Sequence, residues 1–116
     1  MSNHIIQIEG IECYAYHGCM EEETKIGGRF SVDVTLHLDL TNAIETDDLS
    51  QTADYVVIHK IVREQMSIPS KLIEHVAGRI LEKVKSTYTQ SSLVIVKVTK
   101  FNPPVNGQIE KASVIV

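Results

Sequence analysis

The sequence predicts an α+β domain in which a four-stranded antiparallel sheet carries two helices on one face, with the elements in the order ββααββ. Three observations predict it. Phe30, Val32, Val34, Leu36, Leu38 and Leu40 alternate strictly with Ser31, Asp33, Thr35, His37 and Asp39, which is the period of a half-buried strand. Apolar residues then recur at helical spacing between Tyr55 and Val84, and Val/Ile-rich strand patterns return from Leu93 onward. Strands placed around a block of helices indicate α+β architecture, and the continuous polar face of residues 30–40 fits an antiparallel sheet covered on one side.

The first strand is expected from Ile5 to about Tyr16, with Gly10 as a bulge or kink. The connection from His17 to Arg29, with Gly18, Gly27, Gly28 and the consecutive Glu21, Glu22 and Glu23, reads as an irregular loop. The first helix spans Tyr55 to Met66, buries Ile58, Ile61, Val62 and Met66, and takes its N-cap from Asp54 or Thr52. It stops before Pro69. Ser70 can cap the second helix, whose apolar face holds Leu72, Ile73, Val76, Ala77, Ile80, Leu81 and Val84. Gly78 lies inside that helix, at a cost of about 1 kcal/mol relative to Ala. Leu93 to Lys100 and Ala112 to Val116 complete the sheet. Such a sheet has two open edges, which subunit pairing often covers, so a homo-oligomer is expected.

A chain of 116 residues is expected to form one domain, residues 1–116. Eleven basic against fifteen acidic residues give a net charge of −4, without the basic clusters that nucleic acid requires. No apolar run approaches the roughly 20 residues of a membrane span, and the N-terminus lacks signal-peptide character, so a cytoplasmic protein is expected. Cys13 and Cys19 are spaced neither as a redox pair nor as half of a zinc site and are expected to be reduced. His4, His17, His37, His59 and His75 show no local zinc spacing, and no Walker loop, Rossmann glycine pattern or nucleophile elbow occurs.

Lys100 continues in phase with Val94, Val96 and Val98, which points it inward or into a cleft, where partial desolvation suits a lysine to proton transfer. A strand-end lysine can equally snorkel to solvent. Asn102-Pro103-Pro104 stiffens the exit from this strand. Glu74, in the first turn of the second helix, either compensates the helix dipole or grips a ligand with adjacent N–H groups, such as an aminopyrimidinone ring. Tyr55 opens the first helix, as a proton donor or acceptor or as a packing residue. His17 and the acidic cluster after it place titratable groups in one loop.

Several segments in order resemble dihydroneopterin aldolase: Ile8-Glu9-Gly10-Ile11, Tyr14-Ala15-Tyr16-His17-Gly18 with Glu22, Thr52-Ala53-Asp54-Tyr55, Leu72-Ile73-Glu74-His75, and Thr99-Lys100-Phe101-Asn102-Pro103-Pro104 with Gly107. The resemblance implies a tunnelling fold, in which subunit sheets join into a ring around a polar tunnel, as a tetramer or octamer with pterin sites between subunits. It implies an enzyme of folate biosynthesis that splits 7,8-dihydroneopterin into 6-hydroxymethyl-7,8-dihydropterin and glycolaldehyde and can epimerise the side chain, with no cofactor, no metal and no lysine Schiff base. By position it implies that Glu74 holds the pterin, Lys100 manages proton transfer, Tyr55 comes from the adjacent subunit, Glu22 orients the hydroxylated side chain, and Ala53 and Ile73 offer backbone contacts. Ala15, Asn106 and Gly78 depart from residues frequent in the family. The competing readings are dihydroneopterin triphosphate epimerase and a non-catalytic pterin-binding ring protein.

Overall fold

The computed structural model describes residues 4–116. Strands β1 (His4–Ala15), β2 (Gly28–Leu38), β3 (Leu93–Phe101) and β4 (Lys111–Ile115) form one antiparallel sheet in the order β1-β2-β3-β4. Helices α1 (Glu21–Lys25) and α2 (Thr41–Thr46) are short, and the longer α3 (Tyr55–Met66) and α4 (Ile73–Thr87) pack their apolar faces with the sheet. Among the described residues no helix is long and apolar enough to cross a membrane.

The core follows the alternation of β2. Phe30, Val32, Val34, Leu36 and Leu38 are buried from that strand and Val94, Val96 and Val98 from β3, against Ile58, Ile61 and Val62 of α3 and Val76, Ala77 and Ile80 of α4. The expected bulge falls at Gly10. Ile8 pairs with Val34 but Ile11 with Val32, so Glu9 and Gly10 together stand opposite Asp33. Gly10 adopts φ +72° and donates its N–H to Asp33 Oδ1 at 2.6 Å. The extra residue shifts the parity of β1, so that Ile6 and Ile8 before it and Ile11, Cys13 and Ala15 after it all reach the core.

The element order is richer than ββααββ. The acidic stretch is helical: three glutamates in its first turn suit the helix dipole, Glu23 accepts the Met20 N–H at 3.3 Å, and Glu21 pairs with Lys25 one turn on. Residues 39–51 add α2 and a 3₁₀ turn, Leu49–Gln51. β2 accordingly ends at Leu38, not Leu40, because Asp39 Oδ1 accepts the Thr41 N–H and hydroxyl and turns the chain into α2. Asp54 caps α3 through Val56 N–H at 2.9 Å. Ser70 does not cap α4, which starts at Ile73 after an uncapped Leu72, and Leu72 is half exposed and outside the apolar stripe. Ser70 is committed to contacts with the loop after β1 instead.

Gly27 and Gly78 carry opposite constraints. Gly27 has φ +77°, and a Cβ there would press on the Tyr14 and Tyr16 rings and the Ala15 carbonyl. At Gly78 a Cβ would meet no atom within 4 Å. Gly27→Ala therefore lowers stability by about 2 kcal/mol or more, whereas Gly78→Ala raises it by about 0.5–1 kcal/mol. Urea midpoints of the two variants on either side of the unsubstituted protein are the expected result.

Candidate functional site

The cleft at the C-terminal end of β3 is built by strand register. Lys100 pairs with Phe30 across β2 and β3, and in-phase Val94, Val96 and Val98 are buried on the same side. Its ammonium lies 5.8 Å from the centre of the Phe30 ring and 2.6 Å from Glu23 Oε2. The two side chains are only 17% and 14% exposed, so this is a sequestered ion pair, not a solvated surface contact. Gly27, Gly28, Phe101 and Pro104 complete a cleft of about 60 Å³. Asn102, at φ +49°, also lines the cleft, and its N–H donates to the Glu110 carbonyl at 2.8 Å.

Of the three glutamates only Glu23 faces Lys100. Successive helical residues point about 100° apart, and Glu22 is exposed beside Glu21, Lys25 and Ile26. Gly18, at φ +147°, leaves the room that Glu23 occupies, because a Cβ there would overlap the Glu23 carboxyl group.

His17 lines the same cleft and is 1% exposed. Its ring meets Phe30 edge to face at 5.2 Å, and its Nδ1 accepts the Ser70 N–H at 3.0 Å. A nitrogen that accepts carries no proton, so the neutral ring is protonated on Nε2. Burial, helped by the Arg79 and Lys100 cations, pushes His17 down from 6.5 to about 4. The Met66 carbonyl pulls the other way, without a hydrogen bond of standard geometry to Nε2.

The remaining expected site residues lie at helix starts. Glu74 is exposed in the first turn of α4, at an open groove of about 750 Å³ that also holds Gln65, His75 and Arg79. Ile73 is half-buried against the core, Ala53 is buried just ahead of the α3 cap, and Tyr55 is 68% exposed at the first position of α3. Met66, at the other end of α3, faces His17. Helical rise puts Tyr55 roughly 16 Å along α3 from that end, so Tyr55 lies at the opposite end of the helix from the residue beside His17. Among the described residues no three His, Cys, Asp or Glu side chains converge as a metal site.

The family described as FolB: dihydroneopterin aldolase matches residues 6–116. The chain belongs to the dihydroneopterin aldolase family. A dihydroneopterin aldolase of Bacillus subtilis is 38% identical over 110 residues, covering 94% of this chain and 92% of that protein. The solved Escherichia coli dihydroneopterin aldolase in complex with neopterin is 21% identical, with a TM-score of 0.85 over 97% of this chain and 96% of that one. A Burkholderia thailandensis dihydroneopterin aldolase bound to guanine is 18% identical, with a TM-score of 0.76 over 98% of this chain and 88% of that one. As a member of the dihydroneopterin aldolase family, the chain is an enzyme and a carbon–carbon lyase.

Glu23 and the buried state of His17 escaped the sequence reading. For Glu23 a signal existed: Met20-Glu21-Glu22-Glu23 puts a glutamate at the third position of a helix, where it can return to the N-cap amide. The partner of His17 is Ser70, fifty-three residues away, and no local pattern records it.

A histidine with a depressed folded-state pKa takes up its proton more readily when unfolded. Its contribution to stability is complete above pH 6.5 and is lost as the pH falls toward 4, by up to about 3 kcal/mol in total. Urea midpoints measured from pH 7 to pH 4 fall more steeply for the unsubstituted protein than for His17→Asn. Parallel slopes would show that His17 is not buried in its neutral form.

Proposed function

We propose that this chain converts 7,8-dihydroneopterin into 6-hydroxymethyl-7,8-dihydropterin and glycolaldehyde in the cytoplasm, as a metal-free and Schiff-base-free retro-aldolase working in a homo-oligomeric ring. The observation that carries the reading is the Lys100–Glu23 pair in a small cleft of a family member. Retro-aldol cleavage needs a proton acceptor for the side-chain hydroxyl and an acceptor for the electron pair of the breaking carbon–carbon bond. The hydroxyl proton leaves, the oxygen's electrons form the glycolaldehyde carbonyl, and the bond pair flows into the protonated ring imine. The enol-like product is then protonated on carbon. Re-addition of glycolaldehyde before that protonation yields the side-chain epimer.

Lys100 moves protons near the imine and the hydroxyl, directly or through water. Glu23 holds its ammonium, so arriving substrate hydroxyls meet a charge pair already oriented. The cleft position of Glu23 favours it over Glu22 for orienting the hydroxylated side chain. Glu74 grips the aminopyrimidinone edge, an edge that guanine, bound by the Burkholderia relative, shares with pterins. Ile73 and Ala53 supply backbone contacts at the ring. The distance between the ends of α3 supports Tyr55 as a donor to a neighbour's site, in a tetramer or octamer of the tunnelling type. A triphosphorylated substrate is disfavoured, because the cation of the cleft is already paired with a carboxylate.

Free and triphosphorylated dihydroneopterin offered side by side test the reading. The expected result is cleavage of the free compound, unaffected by EDTA and leaving no borohydride-reduced adduct on Lys100. Turnover of the triphosphate alone, or of neither, contradicts it. Shared sites have their own signature: a Tyr55→Phe chain and a Lys100→Ala chain, each nearly inactive, regain activity when unfolded and reassembled together. Random mixing in a closed ring makes about a quarter of the interfaces fully functional. If native mass spectrometry shows mixed rings without recovery, both residues serve one subunit.

A further inference from the structure

The loop that follows β1 is fastened to the connector between α3 and α4 by a two-way clasp. Ser70 donates its N–H to His17 Nδ1 at 3.0 Å, and its carbonyl accepts the N–H of Gly18 at 2.9 Å. On the connector side the clasp is braced. Arg79 donates to Ser70 Oγ and to the Ile68 carbonyl, each at 2.8 Å, and Ser70 Oγ also lies 3.1 Å from His75 Nδ1. On the other side the His17 ring stands edge to face with Phe30, the residue under the Lys100 ammonium. One end of this assembly thus leads into α1 and Glu23, and the other leads within four residues to Ile73 and Glu74.

We propose that neutral His17 is a positioning residue for the reaction: by accepting the Ser70 N–H it holds the Lys100–Glu23 cleft at a fixed separation from the first turn of α4, where the ring of the substrate is gripped. The inference rests on the reading above for the identity of the reaction. Its structural part does not. A clasp of this kind acts on alignment, because a ligand seated on α4 meets Lys100 and Glu23 at the reacting end only if the two segments keep their spacing. His17 itself touches no reacting atom in this account.

The test separates the ring nitrogen from the ring. Asn places its Oδ1 near the position of His Nδ1 and restores the acceptor; Phe keeps an aromatic edge for Phe30 and removes the acceptor. His17→Asn is expected to keep kcat for dihydroneopterin within about threefold of the unsubstituted enzyme. His17→Phe is expected to lose tenfold or more in kcat while product pterin binds within threefold, since the grip on α4 is intact. A contact that only stabilises would lower the melting temperature of His17→Phe and leave kcat unchanged, which overturns the proposal, as does an Asn variant as slow as the Phe variant. Nitrogen-15 NMR of the unsubstituted protein reads the clasp without any substitution or substrate. A neutral Nε2–H tautomer and a strongly protected Ser70 amide are expected. An Nδ1–H tautomer or a freely exchanging Ser70 amide overturns the proposal, whether or not the chain turns over dihydroneopterin and even if His17→Phe fails to fold.

Discussion

The Lys100–Glu23 ion pair is the contact on which the site depends. Two charges largely withdrawn from water are costly, and removal of one partner from such a pair typically costs about 3–5 kcal/mol because the other is left uncompensated. Here the surroundings are fitted to the pair. Phe30 supports the ammonium from the neighbouring strand, Gly18 leaves space for the carboxylate, and α1 exists in a register that turns one glutamate of three toward the cleft. The pair draws a helix, two strands and a glycine loop into one small volume.

Strand parity singled out Lys100 in the sequence but left a cleft position and snorkelling to solvent both open; its contact with Glu23 at 2.6 Å decides between them. The same parity, and the helical spacing of Ile58, Ile61, Val62 and Met66, marked the sheet and the longer helices, because periodic burial is written residue by residue. What escaped was either short or distant. A five-residue helix has too few positions to show a period, so the glutamates read as a loop, and it was the resemblance alone that pointed to Glu22. Ser70 looked like a cap because local chemistry suits it, yet its backbone and hydroxyl are engaged by His17, Gly18 and Arg79. Asp39 ended β2 early by a side-chain bond to Thr41 that alternation does not encode.

Chain geometry separates the candidate site residues into two groups. Glu23 and Lys100 meet within one chain, and the His17–Ser70 clasp ties them to the start of α4. Tyr55 sits at the far end of α3, exposed, and the sheet leaves β1 and β4 with open edges. An exposed tyrosine at one end of α3 and open sheet edges are the features on which the proposal of a site shared between subunits rests.

Which glutamate serves the cleft is the point where geometry and sequence position diverge, and it decides whether the ion pair is the working centre. Chromatographic measurement of 6-hydroxymethyl-7,8-dihydropterin formed by Glu23→Gln and Glu22→Gln resolves it. Glu23→Gln is expected to lose turnover by a hundredfold or so, about 2.7 kcal/mol of transition-state stabilisation, while Glu22→Gln stays close to the unsubstituted enzyme. The reverse order, with Glu23→Gln active and Glu22→Gln impaired, would contradict it.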